Sequence, residues 1–200
     1  IKLAKSILPG GPTDRSELWA LVVATVPVVL AGLLFRDVIA SDARAINVIV
    51  LTTLLFGLLL GVAVRLSQRG ARHTGPVSLR DAFLIGLAQM FALIPGTSRS
   101  GVTITAALFL GYHPVAATRF SFLLSVPVIG GAVLLMLATM GSRESSLSDG
   151  SALTAFALSA VFAYATIKAF MYWIERIGLM PFVLYRLVLG LILWIWIIQG

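Results

Sequence analysis

Five long apolar stretches limit what this chain can fold into. An apolar helix needs about 17–25 residues to cross a bilayer, and each stretch reaches that length. The stretches are residues 18–35, 46–64, 120–142, 150–173 and 179–198. The chain is 59% hydrophobic and 12% charged, whereas a soluble domain has about 45–50% apolar and about 25% charged residues. The sequence therefore predicts an all-α integral membrane protein, a polytopic helix bundle in which residues 1–200 form one membrane domain.

The formal net charge of +7 follows from membrane topology rather than from nucleic-acid binding. The basic residues lie mainly at the ends of apolar stretches, where they set orientation and meet anionic headgroups. We therefore expect the bilayer as a partner and no nucleic acid. The absence of Cys excludes disulfides, thiolate metal sites and Cys nucleophiles. Because the chain begins at Ile1 rather than Met, we expect the domain to be N-terminally incomplete.

A sixth apolar region, residues 82–112, is interrupted by the run Pro95-Gly96-Thr97-Ser98-Arg99-Ser100-Gly101. Each half is too short to span a bilayer, and apolar runs of this length are often re-entrant. The alternative is one kinked helix that crosses. Residues 65–80 contain four Arg and no acid, which places them in the cytoplasm. A hairpin then leaves the acidic loop 141–149 outside and Arg176 inside, so the loop charges favour a re-entrant hairpin over 82–112.

Arg99 is the charge at the centre of this interruption, and it predicts an anion site. A charge near the middle of a bilayer costs about 2.5–3.5 kcal/mol on insertion scales, which makes it a functional candidate. Its planar fork can hold two phosphate oxygens, and a helix that begins nearby would add N–H donors and a favourable dipole. The neighbouring donors and permissive backbone positions are Gly96, Thr97, Ser98, Ser100, Gly101 and Thr103. This composition suits a phosphate.

Several alternatives remain open at this point. No Asp or Glu lies within the apolar stretches, so Arg99 binds helix carbonyls, a carboxylate outside the chain, or a ligand. Arg186, inside the last stretch, either extends to the membrane surface or points inward as a second phosphate clamp. Gln89 either orients a ligand or bonds to a neighbouring helix. Ser98 is a nucleophile or a hydrogen-bond donor, and the lack of a base in the motif favours the donor.

The run at 95–101, followed by Thr103, resembles the signature of the undecaprenyl-pyrophosphate phosphatase family, also called bacitracin-resistance proteins. The run from Phe120 to Pro127 is similar to the helix that follows this signature in the family, and Pro181-Phe182 with Tyr185-Arg186 is similar to its last helix. The resemblance implies a fold with inverted repeats and re-entrant helix pairs. It thus agrees with about five spanning helices and one re-entrant hairpin.

The resemblance also implies a function. Family members hydrolyse undecaprenyl pyrophosphate to the monophosphate, which recycles the carrier lipid for cell-wall synthesis and confers bacitracin resistance. The implied location is the bacterial cytoplasmic membrane, with the active site facing outward, and a homodimer is allowed. A polyprenyl-phosphate flippase or an anion-coupled transporter is the alternative, because broken helices at mid-membrane are also a transporter design.

By resemblance, the residues of the site fall into two groups. The catalytic residues are Arg99, Ser98 and Thr103, and the phosphate-binding residues are Gly96, Thr97, Ser100, Gly101 and Arg186. A divalent cation, Mg²⁺ or Ca²⁺, is implied as cofactor. The family's N-terminal motif, with glutamates and a His, has no match here. We therefore expect no metal ligand within this chain, and we expect this chain alone to lack part of the active site.

Overall fold

The computed structural model describes residues 12–35, 45–70, 73–139 and 150–199, and these residues are almost entirely helical. Within these residues, seven α-helices follow one another, with one short 3-10 turn at Met90–Leu93. The helices are α1 (Pro12–Leu34), α2 (Ile46–Gly70), α3 (Leu79–Gln89), α4 (Arg99–Phe109), α5 (Pro114–Thr139), α6 (Gly150–Ile177) and α7 (Met180–Gln199). The prediction of an all-α protein is confirmed.

Five of these helices are long and apolar enough to cross a membrane: α1, α2, α5, α6 and α7. The prediction of five spanning helices is therefore confirmed, although several helices begin earlier or end later than the apolar stretches. Helix α2 continues past Arg65 to Gly70, and α5 begins at Pro114 rather than residue 120. Backbone hydrogen bonding continues past the end of the apolar stretch, and proline suits the first position of a helix. Residues 140–142 of the third predicted span lie outside the described residues.

Helices α3 and α4 form a hairpin, and the segment before α3 lies beside the segment after α4. The His73 N–H donates to the carbonyl of Gly111 at 3.2 Å, and the His113 N–H donates to the carbonyl of His73 at 2.9 Å. The Tyr112 hydroxyl donates to Asp81 at 2.8 Å. A single crossing helix would hold these residues at opposite ends. The contacts therefore confirm the hairpin, while the inverted repeat stays a prediction.

The hairpin is enclosed by three of the spanning helices. Helix α1 packs against α3, α2 packs against α4 and α7, and α5 packs against α4. Gly86 on α3 lies so close to α1 that a Cβ there would be 2.8 Å from the Ala24 Cα. Small residues allow such close backbone approach between membrane helices. The outer faces of the bundle are apolar and exposed, as suits contact with lipid.

Candidate active site

The bend between α3 and α4, residues 90–98, is where the backbone leaves helical geometry. Gly96 has a φ of 88° and Ser98 a φ of 61°, a region that costs residues with a Cβ about 1–2 kcal/mol. A Cβ on Gly96 would be 2.4 Å from the Ile49 carbonyl oxygen of α2. Glycine is therefore required at 96 by both its φ and the close approach of α2.

Helix α2 supplies hydroxyl donors to the unwound backbone of the bend. The Thr52 hydroxyl lies 2.7 Å from the Pro95 carbonyl oxygen. The Thr53 hydroxyl lies 3.2 Å from the Gly96 carbonyl oxygen and 2.6 Å from that of Ile49. Non-helical carbonyls at membrane depth need such partners. The sequence analysis does not predict Thr52 and Thr53 as site residues. The only feature that could indicate them is a pair of neighbouring hydroxyls in an apolar span.

Arg186 of α7 points into the bend rather than to the membrane surface. Its Nη2 donates to the carbonyls of Gly96 at 3.0 Å and Thr97 at 2.9 Å. The residue is 4% exposed, and its Nη1 has no hydrogen-bond partner. The side chain therefore stabilises the bend and keeps one nitrogen available. Its role as a phosphate clamp stays a prediction.

Arg99, the first residue of α4, is bound quite differently. Its Nε donates to the amide oxygen of Gln89 at 3.2 Å, and its buried Nη2 has no partner. Within the described part of the chain, no main-chain carbonyl accepts a hydrogen bond from its guanidinium. Main-chain carbonyls therefore hold Arg186, whereas Arg99 keeps N–H donors that a ligand could use.

Ser98 caps the N-terminus of α4. Its hydroxyl oxygen accepts a hydrogen bond from the Gly101 N–H at 3.3 Å, as expected of an N-cap serine. The first N–H groups of a helix lack partners within the helix. Ser98 and Ser100 are both partly exposed beside this terminus. The arrangement leaves the start of α4 as a source of donors and positive dipole for an anion.

Two hydroxyls of the predicted site lie in the interior. The Thr103 hydroxyl lies 2.7 Å from that of Ser121 on α5 and 3.1 Å from the Arg99 carbonyl oxygen. Thr103 therefore braces the first turn of α4 in this structure. Thr97 is fully buried, and its hydroxyl has no partner. Ser121 was missed from the sequence, because a serine in a spanning helix carries no signal of its own.

Unpartnered donors gather at this bend. In the described parts of the chain, five buried side-chain polar atoms lack a hydrogen-bond partner. Four of them belong to the bend or to side chains that contact it: Gln89 Nε2, Thr97 Oγ1, Arg99 Nη2 and Arg186 Nη1. All four can donate, and a buried donor without a partner costs about 1–3 kcal/mol. The described residues place two guanidiniums here and no carboxylate against them, so the site suits an anion.

Comparison with known proteins identifies the family of this chain. The family model described as bacitracin resistance protein BacA matches residues 3–192 of the chain. The chain belongs to the BacA family. The prediction of this family from the 95–101 run is therefore confirmed.

Relatives within the BacA family cover most of the chain. The undecaprenyl-diphosphatase of Hahella chejuensis is 45% identical over 194 residues, which is 96% of this chain and 72% of the relative. The undecaprenyl-diphosphatase of Chromohalobacter salexigens is 49% identical over 191 residues, 94% of this chain and 71% of the relative. The undecaprenyl-diphosphatase of Teredinibacter turnerae is 49% identical over 195 residues, which is 95% of this chain and 72% of the relative.

The divalent cation implied by the BacA resemblance is not matched by the residues described. Within residues 12–35, 45–70, 73–139 and 150–199, no three His, Cys, Asp or Glu side chains come together in a way that could hold a metal ion. The unpartnered donors at the bend are three nitrogens of arginine and amide side chains and one threonine hydroxyl, and N–H groups of arginine and amides do not coordinate a cation. We therefore derive no chemical step through a metal.

Proposed function

We propose that this BacA family chain hydrolyses undecaprenyl diphosphate to undecaprenyl phosphate and inorganic phosphate, with the bend as the diphosphate clamp. Hydrolysis of the carrier lipid recycles it for cell-wall synthesis and confers resistance to bacitracin. The relatives that cover more than nine tenths of the chain are named undecaprenyl-diphosphatases. The observation that carries the proposal is the group of four unpartnered buried donors at the bend.

The chemistry of the substrate explains why donors are needed there. Hydrolysis adds water to the terminal phosphorus and breaks its bond to the bridging oxygen. Charge spreads over the three equatorial oxygens of the transferred phosphoryl group, and catalysis consists largely of positioning and electrostatic stabilisation. We assign the binding of those oxygens to Arg99 Nη2, Arg186 Nη1 and the start of α4, since both nitrogens are buried without a partner. Donors that bind this transition-state charge distribution more tightly than that of the bound substrate lower the barrier, rather than only binding the ground state.

Ser98 is proposed as a donor to phosphate rather than as the nucleophile. Its oxygen already accepts a hydrogen bond from the Gly101 N–H, and no His, Asp or Glu contacts it among the described residues. A serine nucleophile needs an adjacent base. The hydroxyl proton is still available to an anion, so Ser98 adds to the clamp.

Membrane position completes the proposal. The basic segment 65–80 orients the hairpin mouth toward the cytoplasm by the positive-inside rule. The bend then lies at depth within the bundle, and we propose that its clamp opens toward the outer side of the bacterial cytoplasmic membrane. A divalent cation, Mg²⁺ or Ca²⁺, and a homodimer remain further parts of the proposal. No observation favours a flippase or a transporter over the hydrolase.

Phosphate release tests this function directly. We expect the purified full-length protein in detergent to release phosphate from undecaprenyl diphosphate, and Arg99→Ala to lower kcat/KM by about 100-fold or more, as loss of a transition-state donor does. Arg176→Ala is the matched control, because Arg176 stacks on Tyr172 at 4.6 Å, away from the bend. Full turnover by Arg99→Ala would overturn the proposed role. Lipid movement in vesicles without phosphate release would favour the flippase instead.

A further inference from the structure

We propose that Gln89 orients Arg99 and presents its own amide N–H groups to the same anion. This inference rests on the proposed function, because it assigns a further residue to the diphosphate clamp. Gln89 is the last residue of α3 and Arg99 is the first residue of α4, so their contact joins the two half-helices across the bend. Gln89 is fully buried.

The orientation of the Gln89 amide follows from chemistry. Arginine has only donors, so the atom facing Arg99 Nε at 3.2 Å must be the amide oxygen. The amide nitrogen is then the other atom, and it has no hydrogen-bond partner. A buried amide with a satisfied oxygen and an unsatisfied nitrogen is incomplete, since buried polar groups in proteins are normally paired. An anion at the bend would supply the missing acceptor.

The same contact decides which edge of the guanidinium remains available. Arg99 can bind two phosphate oxygens through Nε and one terminal nitrogen, or through its two terminal nitrogens. Gln89 occupies Nε, which removes the first arrangement. The two terminal nitrogens are left for the ligand, and Nη2 is among the unpartnered buried atoms. Gln89 therefore fixes an end-on approach of the diphosphate to Arg99.

An amide suits this task better than a carboxylate. A Glu at position 89 would accept from Arg99 Nε equally well, but it would also cancel the positive charge and repel phosphate. Gln89 holds the guanidinium without neutralising it. Within the described residues, no acid contacts Arg99, so the full charge remains for the ligand.

The test is a double-mutant cycle on the enzyme in detergent, measured by phosphate release from undecaprenyl diphosphate. We expect Gln89→Met to lower kcat/KM by about tenfold, as loss of a hydrogen bond to a charged group does. In an Arg99→Ala background the same change should cost less, because only the donation from the Gln89 amide N–H groups to the anion is then left to lose, and residues that act through one another are not additive. Gln68→Met, at an exposed position of α2, is the matched control.

A second variant separates orientation from simple packing. Gln89→Glu keeps an oxygen for Arg99 and nearly the same size, so a packing role predicts wild-type kcat/KM. Our inference predicts a loss at least as large as that of Gln89→Met, with a thermal midpoint close to wild type. If Gln89→Met does not fold, this variant carries the test. Wild-type turnover by Gln89→Glu, or equal losses from Gln89→Met in both backgrounds, would overturn the inference.

Binding of inorganic pyrophosphate distinguishes failure of this inference from failure of the proposed function. Pyrophosphate should raise the thermal midpoint of the wild-type protein and raise it much less in Gln89→Met. If wild-type protein releases no phosphate yet shows this difference, the function is wrong and the anion site with Gln89 stands. If turnover is normal and Gln89 variants bind pyrophosphate like wild type, the inference is wrong and the function stands.

Discussion

Arg186 donates a hydrogen bond of 2.9 Å to the carbonyl of Thr97, across 89 residues of sequence. The contact satisfies both the guanidinium of Arg186 and the backbone of the bend. A buried guanidinium needs acceptors, and unwound backbone within a membrane protein needs donors. Because the bend of the hairpin provides free carbonyls, the last spanning helix can carry a charge in its interior. The bend and the charge of α7 therefore stabilise each other.

Gly101→Ala tests whether the free nitrogen of Arg186 matters for turnover. A Cβ at 101 would clash with Arg186 Nη1, the end of a flexible side chain, and would lie 3.2 Å from Ser98 Oγ. Alanine favours a helix by about 1 kcal/mol over glycine, so stability should be kept. We expect kcat/KM to fall by about tenfold or more, as loss of a hydrogen bond to a charged group does.

The measurement is phosphate release together with the thermal midpoint in the same detergent. Gly131→Ala on α5 is the control, because among the described residues no atom outside the local backbone of α5 lies within 4 Å of a Cβ placed there. Unchanged kcat/KM in Gly101→Ala would show that Arg186 Nη1 does not contribute to the reaction.

Gly96→Ala should destabilise the fold as well as abolish activity. Alanine at a φ of 88° costs about 1–2 kcal/mol, and its Cβ would also clash with the Ile49 carbonyl oxygen at 2.4 Å. Overpacking of this kind adds about 1–3 kcal/mol. Gly111→Ala is a close control, because Gly111 has the same φ and a Cβ placed there would be 3.5 Å from its nearest neighbour, His73 Cδ2. A thermal midpoint as high in Gly96→Ala as in Gly111→Ala would contradict the contact with α2.

Thr52→Val should cost more stability than Thr53→Val. Valine keeps the shape and removes the hydroxyl, which leaves the Pro95 carbonyl without its 2.7 Å donor at a cost of about 1–3 kcal/mol. The Gly96 carbonyl, by contrast, still accepts from Arg186 when Thr53 is changed. Thermal unfolding in detergent measures the difference, with Thr25→Val as control for a hydroxyl bonded only within its own helix. Equal losses for the two variants would argue against the tether at Pro95.

Arg99→Lys should be nearly as inactive as Arg99→Ala, despite the retained charge. Lysine is a point charge without a planar fork, so it cannot donate to Gln89 and to two phosphate oxygens in the geometry of the guanidinium. We expect kcat/KM to fall by about 100-fold, the effect of losing a positioned transition-state donor. Arg176→Lys serves as the conservative control. Activity of Arg99→Lys near that of wild type would indicate that charge alone is sufficient.

The spanning helices and the hairpin could be predicted from the sequence because both follow from simple patterns. Apolar stretches of bilayer length predict helices, and the basic segment 65–80 with the acidic loop 141–149 predicts which ends lie together. The contact between His73 and Tyr112 at the hairpin mouth confirms the second inference. The exact ends of α2 and α5 could not be predicted, since helices continue into the interface beyond their apolar residues.

The candidate site could be predicted in part. Arg99 and its neighbours were found because the residues that matter are contiguous and unusual for a membrane segment. Thr52, Thr53 and Ser121 were not found, because each acts through a contact with a residue distant in sequence, and hydroxyls are common in spanning helices. The direction of Arg186 was left open by the sequence, since an arginine inside an apolar stretch can reach the surface or the interior.

The tether from Thr52 to Pro95 means that the bend takes its depth from a neighbouring helix of 25 residues rather than from the two short helices that lead to it. In a thicker or thinner bilayer a long helix tilts or shifts to match, and we expect the clamp to move with it. The distance that a lipid headgroup must descend from the surface would then vary with membrane thickness, and we expect turnover to depend on the acyl-chain length of the surrounding lipids.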